Sequence, residues 1–401
     1  VTLLRTSTSP DAETDPGRRV VAVVVCMQLA AALGYYAVMA HLVAHLRDGV
    51  GLPAGTIALV LGLRVAVQCA LFLPFGPLVD RIGPRRAGML ACGLRTVAFG
   101  LLAVADDLGT LLGSAMALAV GGALLHPCAQ SLLARLPPAR RSGGFGSYVV
   151  SGQIAAVAGP PAGLALLAGG FGLLAAVAAG AWAVAALLFG LLPRAVRPAG
   201  PVDPRALVRG VADVVRDRAF LRFAAVAAPS TLLATQVTTV VPLSVADSGQ
   251  ATLFFCVGAA GAAGVQPFLS RRGRGGRPWV LRAGLLCAGL GYPLVAALPF
   301  AAERQGVVLV AAAVLNGLGT GLTQTGTFHT IAGRAPRERV GAAIGVVNFL
   351  AGTVAFAGGL LVGRLFDAGA ASAALFALAA LGTVSAAAVS RVEEQPADQR
   401  R

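Results

Sequence analysis

The chain has no lysine: all 32 of its basic residues are arginine. A phosphate-binding GxxxxGK[ST] loop is therefore excluded, and with it a nucleotide-driven motor of that kind. Charge of either sign is scarce. Charged residues make up 12% of the 401 positions, against about 25% in soluble proteins, and acids number only 17. The six cysteines (Cys26, Cys69, Cys92, Cys128, Cys256, Cys287) lie singly inside apolar runs with no CxxC spacing, which excludes a disulfide framework or a thiolate metal cluster and leaves small buried hydrophobes. HExxH, GxSxG and an acid pair within an apolar run are all missing, so a membrane-embedded enzyme would lack its nucleophile, base or metal. His41, His45 and Asp48 share one helical face, but three such groups without a supporting shell read as an interfacial polar face, not a metal site. No connection is long enough for an ordered soluble domain, so the net charge of +15 does not point to a nucleic-acid partner. The expectation is a chain without enzyme activity, cofactor or metal.

What is abundant is apolar sequence. Hydrophobic residues make up 57% and the mean hydropathy is +0.79, more apolar surface than a soluble fold hides. Crossing a bilayer core takes about 20 apolar residues, and runs of that length fall at 20–45, 55–79, 87–105, 109–133, 145–167, 170–192, 220–244, 249–270, 279–300, 306–331, 341–364 and 369–390. This predicts an all-α membrane protein with twelve transmembrane helices. Basic residues collect in cytoplasmic loops. With both termini inside, 25 arginines lie in inner segments, only Arg47, Arg304 and Arg364 in outer ones, and Arg64, Arg95, Arg222 and Arg282 within spans. A miscounted span would scramble that alternation.

The longest connection, 193–219, opens with PRAVRPAGPVDP and divides the chain into six spans and six. The halves resemble each other at an offset of 199 residues: ARLPPARRSGGFGSY after span four matches GRAPRERVGAAIGVV after span ten, pairing Arg135 with Arg334, Gly146 with Gly345 and Gly159 with Gly358. Two six-span repeats side by side suit a binding site at their midplane interface. The expected organisation is a disordered tail at 1–19, without the pattern of a cleaved leader, six-helix bundles at 20–192 and 220–390, a cytoplasmic linker at 193–219, and a tail at 391–401.

Between spans two and three the chain reads Gly76-Pro-Leu-Val-Asp80-Arg81-Ile-Gly83-Pro-Arg85-Arg86. This resembles the Gly-x-Leu-x-Asp-Arg-x-Gly-Arg-Arg signature of the major facilitator superfamily, with a weaker copy, SRRGRGGR at 270–277, in the corresponding loop of the second half. The resemblance implies a conformational latch in which glycines allow close approach while Asp80 and the arginines make contacts across the cytoplasmic interface. Span five carries Gly146, Ala155, Gly159, Pro160 and Gly163, similar to the glycine and Gly-Pro pattern of the superfamily's drug antiporters, with Ala155 where a glycine is usual. Small residues so spaced permit close helix packing, and Pro160 can bend the helix. The twelve-span drug:proton antiporter branch is the closest resemblance. It implies a monomer in the cytoplasmic (inner) membrane, with proton-coupled efflux of a drug-like or secondary-metabolite molecule by alternating access. Import or uniport of a small, possibly anionic metabolite is the alternative. One departure matters: many such exporters carry an arginine in span four, where this chain has Ala117, so that proton relay does not transfer.

Ionisable groups in hydrocarbon are functional candidates by default. Arg64 and Arg95 lie near the middles of spans two and three, with no acid at comparable depth. They either attract an anionic part of a substrate in a low-dielectric cavity or are held by carbonyls, Gln68 and helix dipoles within a packed bundle. His126, beside Pro127 and near Gln130, either exchanges a proton or is a hydrogen-bonded wall residue. In the superfamily, spans one, four, seven and ten line the cavity, so the resemblance adds Tyr35, Tyr36, His126, Gln236 and Gln324 to the binding-site candidates. Gln153, Asn316 and Asn348 complete the deep polar set.

Overall fold

The structure, a computed structural model, describes residues 16–134, 138–192, 204–245, 247–270, 277–334 and 340–393. Among these residues the chain is helical with no strand, and twelve stretches are long and apolar enough to cross a bilayer, from Arg18–Gly49 to Ala371–Val389. Each lies within a few residues of an expected span. The first six are α1 (Pro16–Ala44, prolonged by a π-turn at His45–Gly49), α2 (Ala54–Ile82), α3 (Pro84–Ala103), α4 (Leu108–Ala134), α5 (Pro138–Leu167) and α6 (Phe171–Gly190). Within the long connection lies a helix the sequence reading did not separate, α7 (Pro204–Arg216). Its leucine and valines recur at helical spacing between the arginines, the pattern of a surface helix rather than a span. Span seven is two pieces, α8 (Arg218–Ala227) and α9 (Pro229–Ser244), because Pro229 has no N–H for the preceding turn. Then follow α10 (Ser248–Ser270), α11 (Pro278–Ala297), α12 (Gln305–Arg334), α13 (Val340–Asp367) and α14 (Ala371–Glu393).

Two large buried clusters make up most of the core, beside a small one at Leu269, Val280 and Leu322. One draws its buried members from Val24 to Leu192 and includes Phe99 and Trp182; the other runs from Val214 to Val389 and includes Phe254 and Tyr292. The internal repeat reappears as geometry. Gly170 and Gly369, one repeat apart, both end the turn before the last helix of their half with positive φ, +91° and +73°, a conformation that favours glycine. Gly159 of α5 packs on Tyr36 of α1, and its repeat partner Gly358 of α13 packs on Leu232 of α9.

The α1–α5 approach is close. A Cβ on Gly159 would lie 2.6 Å from Tyr36 Cβ and 3.1 Å from the Ala37 nitrogen, while one on Gly163 would meet the Ala37 carbonyl. Pro160, between them, offers its carbonyl to His41 Nε2 at 3.0 Å. Gly159→Val is therefore expected to destabilise the chain by about 1–3 kcal/mol, read as lower folded yield and an earlier thermal transition in detergent. Gly146→Ala, where no atom lies within 4 Å, should be silent in the same assay.

Across the halves, α2 packs along α13 and α5 on α10. At the arginine-poor end the seam is pinned by two hydrogen bonds: Gly55 N–H donates to Asp367 Oδ2 at 2.8 Å, and Arg47 Nη1 donates to the Leu243 carbonyl at 3.1 Å.

Candidate functional site

A cavity of about 530 Å³ lies between the halves. One wall is a single face of α12, where Asn316, Thr320, Thr323, Thr327 and Ile331 recur at three- and four-residue intervals. Opposite stand Tyr36 of α1 and Gln153 and Ala156 of α5; α8 and α9 contribute Ala227, Ser230, Thr231 and Thr238, so the break at Pro229 falls on the wall. Irregular backbone at membrane depth is tolerated where it lines a cavity. Phe254, Phe255 and Phe328 supply aromatic faces, and Asn348 a second amide. Apart from the Tyr36 phenol, no titratable side chain lies among the described lining residues. The wall runs toward the arginine-rich end through Phe328, Ile331 and Ile344, and there Gln324 and Phe328 are exposed.

The polar groups are held in place by their own helices. Thr320 Oγ1 donates to the Asn316 carbonyl at 2.9 Å, Thr323 Oγ1 to the Gly319 carbonyl at 2.8 Å, and Asn316 Nδ2 to the Ala312 carbonyl at 3.1 Å. Each hydroxyl so satisfied keeps acceptor capacity for a solute. Thr327 Oγ1 has no hydrogen-bond partner among the described residues. On the flank of α9, the buried Tyr292 hydroxyl donates to the Leu233 carbonyl, anchoring the second piece of span seven to α11. Tyr292→Phe should cost about 1 kcal/mol, measurable as a lowered unfolding midpoint.

The structure gathers some of the sequence candidates and separates others. Tyr36 and Gln324 line the large cavity. Tyr35, Arg64 and Gln236 line a second one of about 240 Å³, on the arginine-poor side of Tyr36. Arg95 reaches neither. It is 5% exposed, with its guanidinium carbon 4.7 Å from the Trp182 ring centre and 5.3 Å from that of Tyr35. Of the two readings of Arg95, this packing fits the one held within the bundle: aromatic faces take the place of a counter-charge, and Gly122 leaves room for its Nη2 and for Gln68. His126 lies on α4, but its side chain is outside those described, as are Gly76, Asp80 and Arg81 in the loop motif. Gly83 has φ +83° and joins α2 to α3, Pro84 opens α3, and Arg86 is exposed. Among the described residues Arg85 bonds within its own half. Its Nη2 donates to the Gly190 carbonyl at 2.5 Å, and Arg19 Nη2 donates to that of Leu191 at 3.4 Å; both cations thus sit where the α6 dipole is negative. His45 stacks on Phe171 with ring centres 3.9 Å apart.

The threonines of α12 and the Ser230–Thr231 pair were not among the sequence candidates. Their signal was the helical spacing from Asn316 to Ile331.

Comparison with known proteins gives a consistent family. The Major Facilitator Superfamily model matches residues 24–360. An uncharacterized MFS-type transporter of Mycobacterium tuberculosis is 34% identical over 200 residues, 48% of this chain and 46% of that protein. Multidrug resistance protein MdtH of Edwardsiella ictaluri is 31% identical over 217 residues, 54% of this chain and 53% of that protein. The chain thus spans about half the length of the curated relatives it matches. Among solved structures, a POT family transporter in complex with a thioalcohol-conjugated peptide superposes with a TM-score of 0.76 at 15% identity, covering 93% of this chain and 96% of that one. The nucleoside transporter NupG gives 0.75 at 13% identity, covering 94% and 100%. At such identities the likeness is one of fold.

Proposed function

The chain belongs to the major facilitator superfamily, and from that premise we propose that it is a proton-coupled exporter of small, uncharged, amphipathic organic molecules in the cytoplasmic membrane. The observation that carries this reading is the cavity between the halves: aromatic faces, amides and hydroxyls without an ionised group among the described lining residues. Apolar walls with a few placed polar groups are the usual form of a small-molecule site. A fixed charge there would hold a counter-ion and disfavour neutral solutes. Export is supported by the span-five pattern on Gly159, Pro160 and Gly163 and by relatives named for multidrug resistance. Proton exchange is carried over from the antiporters which that pattern resembles.

The mechanism is alternating access between two halves, 20–192 and 220–390, about this cavity. With the arginine-rich end cytoplasmic, the seam at Asp367 and Arg47 is the closed outer gate and the exposed wall at Gln324 and Phe328 faces the cell interior. A monomer suffices for this cycle, since one chain supplies both halves and the cavity between them.

The test is solute movement in inverted membrane vesicles energised by a pH gradient, with lipophilic cations, neutral drugs and organic anions in one panel and Asp80→Asn as the latch-defective control. Gradient-dependent accumulation led by the neutral members is expected. No gradient-dependent accumulation of any compound would reject antiport and put import or uniport in its place.

A further inference from the structure

The cavity on the arginine-poor side of Tyr36 differs from its larger neighbour in one respect: it holds a cation. Arg64 stands roughly 15 Å along α2 from its outer end and lines the cavity together with Tyr35, Tyr36, Thr235, Gln236 and Thr239. Its Nε is buried and has no hydrogen-bond partner among the described residues. Gln236, 5% exposed, has an unpartnered Oε1, an acceptor that cavity water can satisfy while its amide N–H groups serve an anion. None of the 17 acids can answer this charge from within the membrane, because each lies in a tail, in a connection or at the end of a span.

Taking a guanidinium out of water without a counter-charge costs several kcal/mol even after relaxation. Most buried cations escape by losing the proton, but arginine does not. Aromatic faces are the other remedy, and Arg95 has taken it, lying over Trp182 and Tyr35. Arg64 has no such partner among the described rings and instead faces open volume. That volume, about 240 Å³, suits a compact ion with some water; the Gln236 amide and the tyrosine phenols can donate hydrogen bonds into it, whereas the Thr235 hydroxyl already donates to the Thr231 carbonyl.

We infer that this cavity binds a small monovalent anion, a halide or a compact carboxylate, on the Arg64 guanidinium. Arg64 belongs to α2 and Gln236 to α9, so the anion sits between the halves, on the outer side of the large cavity. It neutralises the cation that lines this cavity and adds an electrostatic tie between the halves when the outer end is shut. The inference does not depend on which solute the large cavity carries.

The test uses the purified full chain in detergent. The unfolding midpoint is followed while sodium gluconate is exchanged for sodium chloride, and separately for sodium formate, at constant ionic strength. A saturable rise is expected in the wild type. Arg64→Gln should weaken the apparent anion affinity by more than about a hundredfold, whereas Arg64→Lys, which keeps a point charge, should retain a weaker response. Whichever of chloride and formate saturates at lower concentration identifies the source. Radiolabelled chloride binding to the wild type, competed by formate, serves as the deciding measurement where Arg64→Gln yields no folded protein. No specific response in the wild type, or an equal one in Arg64→Gln, overturns the site. Neither readout uses a transported solute, so each can fail independently of the vesicle assay.

Discussion

Gly363→Val is expected to slow transport about tenfold to a hundredfold while leaving the folded yield close to that of the wild type. The residue lies at the outer end of α13 against α2, where an added Cβ would come 2.6 Å from Ala58 Cβ and 2.9 Å from both the Ala54 carbonyl oxygen and Gly55 Cα. Overpacking of that order costs about 1–3 kcal/mol. The cost falls on one conformation only, because Ala54, Gly55 and Ala58 belong to the other half and separate from Gly363 when the outer end opens. Since 1.4 kcal/mol is a factor of ten in a population, the shut state becomes tenfold to a hundredfold rarer, and the cycle must pass through it. Turnover in proteoliposomes, beside the monodisperse yield on gel filtration, separates this outcome from misfolding. Equal losses in yield and turnover would mean that Gly363 serves the fold and not the gate.

Thr320→Asp should abolish export of neutral compounds, lowering it by more than about tenfold, and admit lipophilic cations. Thr320 stands mid-wall, its hydroxyl bonded one turn back to the Asn316 carbonyl. A carboxylate there faces aromatic and aliphatic walls with no cation among the described lining residues. It would either hold water that neutral solutes must displace or attract a cation strongly at low dielectric. The check is the same panel of three charge classes. Unchanged neutral transport would place the solute path elsewhere.

The spans were legible because hydrocarbon leaves a helix few alternatives: some 20 apolar residues are needed, and the arginines mark one end of the bundle. Of the α5 glycines read from the sequence as a packing surface, Gly159 and Gly163 meet Tyr36, Ala37 and His41 of α1, whereas Gly146 has no atom within 4 Å. The cavity was only partly legible. Tyr36 and Gln324 were named singly, but the hydroxyls of α12 were passed over, since a threonine that bonds its own helix, as Thr320 and Thr323 do, carries no visible cost in an apolar run. Arg64 and Arg95 looked alike from the sequence, both mid-span and without an acid. Tertiary packing gives them different surroundings. Trp182 comes from α6, 87 positions further along the chain, and nothing local in α3 announces that Arg95 turns toward it. The break in span seven was missed, although Pro229 stands inside the apolar run 220–244, and its place on the cavity wall depends on how α9 meets α12 and α13.

The central claim, that one uncharged cavity opens alternately to either side, is tested most directly by the accessibility of Thr320→Cys in a background without the six native cysteines. A membrane-impermeant thiol reagent is applied from one face of sealed proteoliposomes at a time. The account predicts labelling from the arginine-rich face in the resting protein, labelling from the opposite face that increases in Asp367→Asn, where the cap on Gly55 is weakened, and protection from both faces by a neutral transported compound. Labelling from one face only, unaltered by Asp367→Asn and by solute, would contradict it.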